Sequence, residues 1–191
     1  IWTVGSGSIG GFSQNGDTSE NMRIWWIDQH GKQALLWYSP NGPGSPDGGW
    51  NYSNIPIDNT KSYRSTVWIK KTGTLGGNVY LGADPSNTNN LDGSQNTNPY
   101  FFALPTTNLE LNKWYLLVWY IHGSSDTSTI SYAWIYDGVT GRKIIAGTDF
   151  KNRWDTTYQT HRTYNYYDGD DGVSAQYFYA PRFEEIDGNE P

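Results

Sequence analysis

Cysteine is absent from this 191-residue chain, which removes disulfides, thiolate metal sites and cysteine nucleophiles together. Charged residues make up only 17%. The net charge of −6 argues against a nucleic-acid partner, which normally meets a basic stripe. No apolar run approaches the length that spans a bilayer, so membrane insertion is not expected. Helical periodicity with caps is missing throughout, so helix content should be low. Three scattered histidines do not make a zinc site. No Ser-His-Asp constellation or phosphate-cradling glycine motif stands out either. The chain opens at Ile1 without Met or a charged, apolar leader, and reads as an excised domain or mature product.

Aromatic residues, by contrast, reach 16%, with ten Trp and fifteen Tyr. One core of this size cannot absorb them all, so some should be exposed or line a groove. Two-residue periodicity predicts strands at 22–28, 33–39, 63–71, 78–83, 100–104, 114–122, 130–137, 143–147, 158–167 and 175–183. Asn-Gly and Asp-Gly pairs punctuate them, among them Asn15-Gly16, Asp92-Gly93, Asp137-Gly138 and Asp168-Gly169. Residues 40–62 and 84–99 read as long Gly, Pro and Asn-rich loops, a feature that often marks binding. Ten or so strands without crossover helices imply an all-β fold, an antiparallel β-sandwich of jelly-roll type, as a single domain over residues 1–191.

Alternation assigns faces. In 63–71, Tyr63, Ser65, Val67 and Ile69 form the better core face, leaving Arg64, Trp68 and Lys70 pointing elsewhere. Both faces of 114–122 are apolar, as in a central strand covered on both sides. In 175–183, Tyr177, Tyr179 and Phe183 are expected to share one face, with the two tyrosines in the core. Trp25, Trp37, Trp119 and Trp134 alternate with apolar partners and are expected in the core.

The segments "IDNTKSYRSTVWIKK" (57–71) and "NKWYLLVWYI" (112–121), with the closing "QYFYAPRFEEIDGNEP" (176–191), resemble elements of galactose-binding-like jelly rolls. The order of motifs from about residue 20 to the end also resembles jelly-roll domains of marine bacterial polysaccharide-degrading proteins and of phage tail or adhesin proteins. The resemblance implies a non-catalytic sugar-binding or receptor-binding module, possession of which says little about ligand identity.

A pyranose presents an apolar C–H face to Trp or Tyr while polar side chains fix its hydroxyls. Trp50 in "DGGWN" and Trp154 in "NRWDTT" are therefore candidates for ligand contact. Arg64, Trp68 and Lys70 form a mixed aromatic and basic face suited to carboxylated or sulfated polysaccharide, and His161, Arg162 and Tyr164 add a second cluster. Asp168, Asp170 and Asp171 are candidate ligands of a structural Ca²⁺, since carboxylates and backbone carbonyls supply its oxygen shell. An alternative metal site combines Glu20 or Asp17 with Asp187. The same Asp-Gly chemistry also suits an ordinary hairpin turn.

Two enzymatic alternatives compete with binding. "EIDGNE" (185–190) has the E-x-D-x-x-E spacing of laminarinase-type hydrolases, but retaining chemistry needs two carboxylates about 5 Å apart on one rigid strand face. Gly188-Asn189 reads as a turn there. A polysaccharide lyase needs a His or Tyr base beside an Arg that neutralises the uronate, for which His122, His161, Arg162, Tyr164 and Tyr166 are candidates. The favoured expectation is non-catalytic polysaccharide binding by an extracellular or surface-displayed monomer, which could be appended to a catalytic domain. The alternative of another class is a phage-fibre or adhesin domain whose aromatics form a subunit interface.

Overall fold

The computed structural model describes residues 2–42 and 47–187. Fifteen strands follow one another: β1 (Gly5–Ser6), β2 (Phe12–Gln14), β3 (Met22–Ile27), β4 (Gln33–Pro40), β5 (Asp47–Pro56), β6 (Ser62–Thr72), β7 (Asn78–Gly82), β8 (Thr88–Asn90), β9 (Tyr100–Pro105), β10 (Trp114–His122), β11 (Trp134–Asp137), β12 (Lys143–Ala146), β13 (Phe150–Asn152), β14 (Tyr158–Tyr166) and β15 (Ala175–Ile186). The helices among the described residues are two single 3-10 turns, Thr18–Glu20 and Thr106–Asn108.

The strands form two sheets packed face to face, an antiparallel β-sandwich of jelly-roll type. The larger has ten strands along the order β1-β3-β4-β15-β6-β10-β11-β12, with β13 and β8 attached at one end. The smaller has five, ordered β2-β5-β14-β7-β9. A short parallel pairing of β10 with β13 is the exception to antiparallel geometry.

The core lies between the sheets. Strand β6 shows why: Tyr63, Ser65, Val67 and Ile69 are buried while Arg64, Thr66, Trp68 and Lys70 between them are partly exposed, as the alternation predicts. On β10, Tyr115, Leu117, Trp119 and Ile121 join the same core. Trp37 and Trp119 are fully buried, as expected of them. Trp37 also ties the sheets together, because its Nε1–H donates to Asn21 Oδ1, which accepts the Gly49 N–H as well.

Three expectations are corrected. Residues 47–56 are not loop but strand β5, paired with β14 and β2. The glycines there serve close packing: a Cβ on Gly49, whose φ is +102°, would lie 2.1 Å from the Thr163 carbonyl oxygen. Trp25 is 56% exposed, because β3 lies near one edge of the larger sheet, outside the cover of the smaller one. Trp134 is half-buried on the outward face of β11, under the Lys143 ammonium at 5.3 Å.

Strand β15 departs from strict alternation. Tyr179 pairs with Trp68 but Arg182 pairs with Thr66, so β15 carries one extra residue across Ala180 and Pro181. Ala180 absorbs it with φ +45°, a conformation rarely adopted by a residue with a Cβ. Pro181, which has no N–H to donate, is tolerated where the ladder is already interrupted. The bulge reverses the faces: Phe178 points into the core before it and Phe183 packs against the core after it. Tyr177 and Tyr179 belong instead to a second cluster, with Trp68 and Trp114, on the outward face of the larger sheet.

Trp50→Ala is expected to cost about 3–5 kcal/mol of unfolding free energy. Trp154→Ala, at a side chain 78% exposed, should change it by less than about 0.5 kcal/mol. Urea denaturation of the two variants distinguishes these outcomes.

Candidate functional site

The outward face of the larger sheet holds a groove of about 620 Å³. Its floor follows from register. Arg64, Thr66 and Trp68 of β6 lie opposite Tyr120, Val118 and Leu116 of β10, with Tyr136 of β11 beyond Leu116. On the other flank, Tyr179, Arg182 and Glu184 of β15 lie opposite Trp68, Thr66 and Arg64. Gln29 and His30, from the turn between β3 and β4, close one wall.

The charged groups on this floor are held in place. Arg64 donates from Nε and Nη2 to Glu184 Oε1 at 3.0 and 2.8 Å, and the Tyr120 hydroxyl is a further partner. This partly exposed ion pair adds little stability, but it orients the guanidinium on the groove floor. Farther along, the Lys70 ammonium lies 4.9 Å from the Trp114 ring centroid and 4.8 Å from that of Tyr177. Lys70 makes no ion pair among the described residues. Burial holds its pKa below the usual lysine range. Trp26, half exposed, stacks on Tyr177 with centroids 6.1 Å apart. The face thus sets Trp68, Tyr179 and Tyr136 beside the cations Arg64, Arg182 and, farther along, Lys70.

Trp68, Arg64 and Lys70 are brought together on one face, and Arg162 and Tyr164 on another, outside the smaller sheet. Trp50 is corrected as a ligand contact: it is fully buried, with Trp37 and Phe178 at 5.1 and 5.2 Å. His161 is corrected likewise. Its ring stacks on Trp50 at 6.0 Å inside the core, and burial pushes its pKa down to about 4. Tyr164 is mostly buried, its hydroxyl donating to Asn51 Oδ1 at 2.6 Å. Trp154 is exposed as expected, in the turn after β13, but lines neither the groove nor Arg162's surroundings.

The candidate lyase group is not assembled. His161 faces the core, Arg162 faces outward, and His122 sits in the larger sheet between Asp126 and Asp149 at 3.0 and 3.2 Å. Glu190 of "EIDGNE" lies outside the described residues. Glu20 has Asp47 as its neighbour, whose charge helps burial raise the Glu20 pKa.

The acidic loop after β14 works as a hairpin clamp. Asp171 Oδ1 accepts the backbone N–H of Val173 and Ser174 and the Asn41 side chain, while Oδ2 accepts the Thr74 and Ser174 hydroxyls. Asp168 and Asp171 also act electrostatically on the buried Lys71 ammonium, which donates to the Gly76 carbonyl and to Thr106 Oγ1. Among the described residues no group of three His, Asp or Glu side chains is arranged to hold a metal ion. Both Asp171 oxygens are thus engaged by hydrogen-bond donors of the loop and its neighbours.

The groove residues missed from sequence are Tyr120, Tyr136, Tyr179, Arg182 and Glu184. Cross-strand register with β6 is the signal that unites them, and it emerges only from pairing.

No family model matches the chain, and no curated protein matches it. Its fold is similar to several solved structures. One is a CBM4 structure, at 8% identity and TM-score 0.38, covering 80% of this chain and 84% of that one. Another is the metal-free lectin I-B4 from Griffonia simplicifolia, at 10% identity and TM-score 0.43, covering 92% and 93%. A third is the family 7 alginate lyase A1-II′, at 11% identity and TM-score 0.39, covering 87% and 83%. What this chain does has to be read from its own residues.

The two buried histidines impose opposite pH dependences. His161 stays neutral in the fold down to about pH 4, whereas in the unfolded chain it takes up a proton near 6.5. Its contribution is therefore complete above about pH 6.5 and falls as pH drops to 4, by about 3 kcal/mol in all. His161→Phe should flatten that acid limb. For His122, burial lowers the pKa but the Asp149 and Asp126 carboxylates outweigh it and raise it overall. Its contribution is complete below about pH 6.5 and is lost as pH rises through the raised value. His122→Asn should remove that alkaline loss. Unfolding free energies between pH 4 and 8 test both.

Proposed function

We propose that the protein binds an anionic polysaccharide along the outward face of its larger sheet, without catalysis. The observation that carries this reading is the groove floor, where the partly exposed Trp68 and Tyr179 lie beside Arg64, with Lys70 farther along the same face over the buried Trp114 and Tyr177 rings. Aromatic faces accept the C–H faces of successive pyranoses, and the cations meet carboxylate or sulfate substituents. The net charge of −6 means that attraction to a polyanion must come from such local groups. The protein acts in this reading as an extracellular or surface-displayed monomer, able to serve as a module beside a catalytic domain.

A second reading is favoured by one contact. The Arg64 guanidinium adjoins the Tyr120 hydroxyl in a groove that His30 and Tyr136 also line. A uronate seated there would have its carboxylate neutralised by Arg64. A tyrosine or histidine base could then take the proton α to that carboxyl, with loss of the glycosidic oxygen at the neighbouring carbon and formation of a C=C bond.

Affinity electrophoresis against dextran, polygalacturonate and dextran sulfate tests the first reading. Retardation is expected in the two anionic gels and should weaken as salt rises. Trp68→Ala and Lys70→Ala should each reduce affinity about tenfold, equivalent to about 1.4 kcal/mol, while Trp154→Ala leaves it unchanged. No retardation in any gel, or full retention by Trp68→Ala, would overturn it. Growth of ultraviolet absorbance on incubation with polygalacturonate or alginate would establish the lyase reading instead. A stable trimer by size exclusion would favour an assembly role for the aromatics.

A further inference from the structure

The smaller sheet turns its own outward face away from the groove, and β14 runs through its middle. Along β14, Arg162, Tyr164 and Tyr166 alternate with Thr163 and Asn165, both buried between the sheets. Gly82 of β7 lies opposite Arg162 and also opposite Tyr100 of β9. A Cβ there would meet the Tyr100 ring at 2.7 Å, so the missing side chain is what lets that ring settle on the strand. The Arg162 guanidinium carbon then lies 4.4 Å from the Tyr100 centroid and 5.7 Å from that of Tyr164. Tyr80 extends the cluster, 4.9 Å from Tyr100 and 5.5 Å from Tyr166.

Arg162 makes no ion pair among the described residues. Its Nε and Nη2 are shielded from solvent and meet no hydrogen-bond acceptor. Arg23, by contrast, is committed to backbone carbonyls, Arg64 to Glu184, and Arg153 to Ser86 and Asp155. A desolvated guanidinium with unspent donors, held between phenol rings, suits an oxyanion.

We propose that Arg162 is the centre of a second glycan contact. It takes one carboxylate or sulfate group of an acidic polysaccharide, whose ring rests against Tyr100 and the 39%-exposed Tyr166. The ligand class rests on the reading given for the groove, but the site stands on its own residues. Because the two contacts lie on opposite faces of the sandwich, one protein molecule joins two polysaccharide chains.

The test mixes the 191-residue protein with long-chain polygalacturonate, dextran sulfate or dextran and follows light scattering, with affinity electrophoresis in parallel. The intact protein should raise scattering with polygalacturonate, with dextran sulfate or with both, and not with dextran. The polymer that responds separates a carboxylate from a sulfate reader. Arg162→Gln should abolish the scattering and yet be retarded through the groove, with affinity reduced no more than about threefold. Trp68→Ala should abolish scattering through the other face. In the Trp68→Ala, Lys70→Ala background, residual retardation should fall at least tenfold when Arg162→Gln is added. Scattering by Arg162→Gln equal to that of the intact protein overturns the second contact and leaves the groove standing. Loss of groove retardation in Arg162→Gln also overturns it, by giving Arg162 a role in the fold. Failure of the intact protein to bind any of the three polymers overturns the reading of the groove itself.

Discussion

Between Tyr179 and Arg182 the last strand carries one residue more than the β6 segment beside it, and both faces of the larger sheet depend on how that residue is accommodated. Without it, Phe183 would point outward and Arg182 and Glu184 would point into the apolar core. With it, Phe183 packs near Tyr63 and Trp119, and Glu184 reaches Arg64 on the groove floor. The insertion comes just after the last pairing with β4, at Phe178, and the β6 ladder resumes beyond it at Arg182. Three concavities meet at this point. The groove takes Tyr179 and Arg182, an apolar hollow beside Trp2 and Trp25 takes Tyr179 and Pro181, and a smaller hollow above His161 takes Pro181 and Phe183.

The fold was legible where period and burial agree. Strand β6 states its faces residue by residue, and its neighbours β10 and β15 could be placed as strands from composition alone. The face of β15 beyond Tyr179 was not legible, because reading one unbroken two-residue period through Ala180-Pro181 misses the phase shift that the bulge puts there. Trp50 was misread for a related reason. Glycine beside it suggests a loop, yet Gly48 and Gly49 are there so that β5 can press against Ser39 and Thr163. Trp25 alternates like a core residue but occupies a strand that the smaller sheet does not cover. Of the site, the Arg64, Trp68 and Lys70 face was visible in sequence, while its partners on β10, β11 and β15 required the pairing register.

Polar groups inside the sandwich follow a consistent pattern. Asn21 serves Trp37 and Gly49 at once, Asp149 receives the Tyr120 and Tyr132 amides as well as His122, and Lys71 is satisfied by Gly76 and Thr106. Each pins the end of a strand where the ladder runs out, so buried charge and amide groups set register at the rims and aromatic rings fill the middle. The acidic loop 168–171 belongs to this set through Asp171.

The regular in-and-out order of β6 separates two kinds of information. Val67 and Ile69 answer to the core, and Thr66, Trp68 and Lys70 answer to whatever lies on the surface, with no residue serving both. Substitutions on the outward set can therefore accumulate without repacking the interior. A lineage carrying this scaffold could drift from one ligand to another by changing alternate letters of a single strand, its folding left undisturbed.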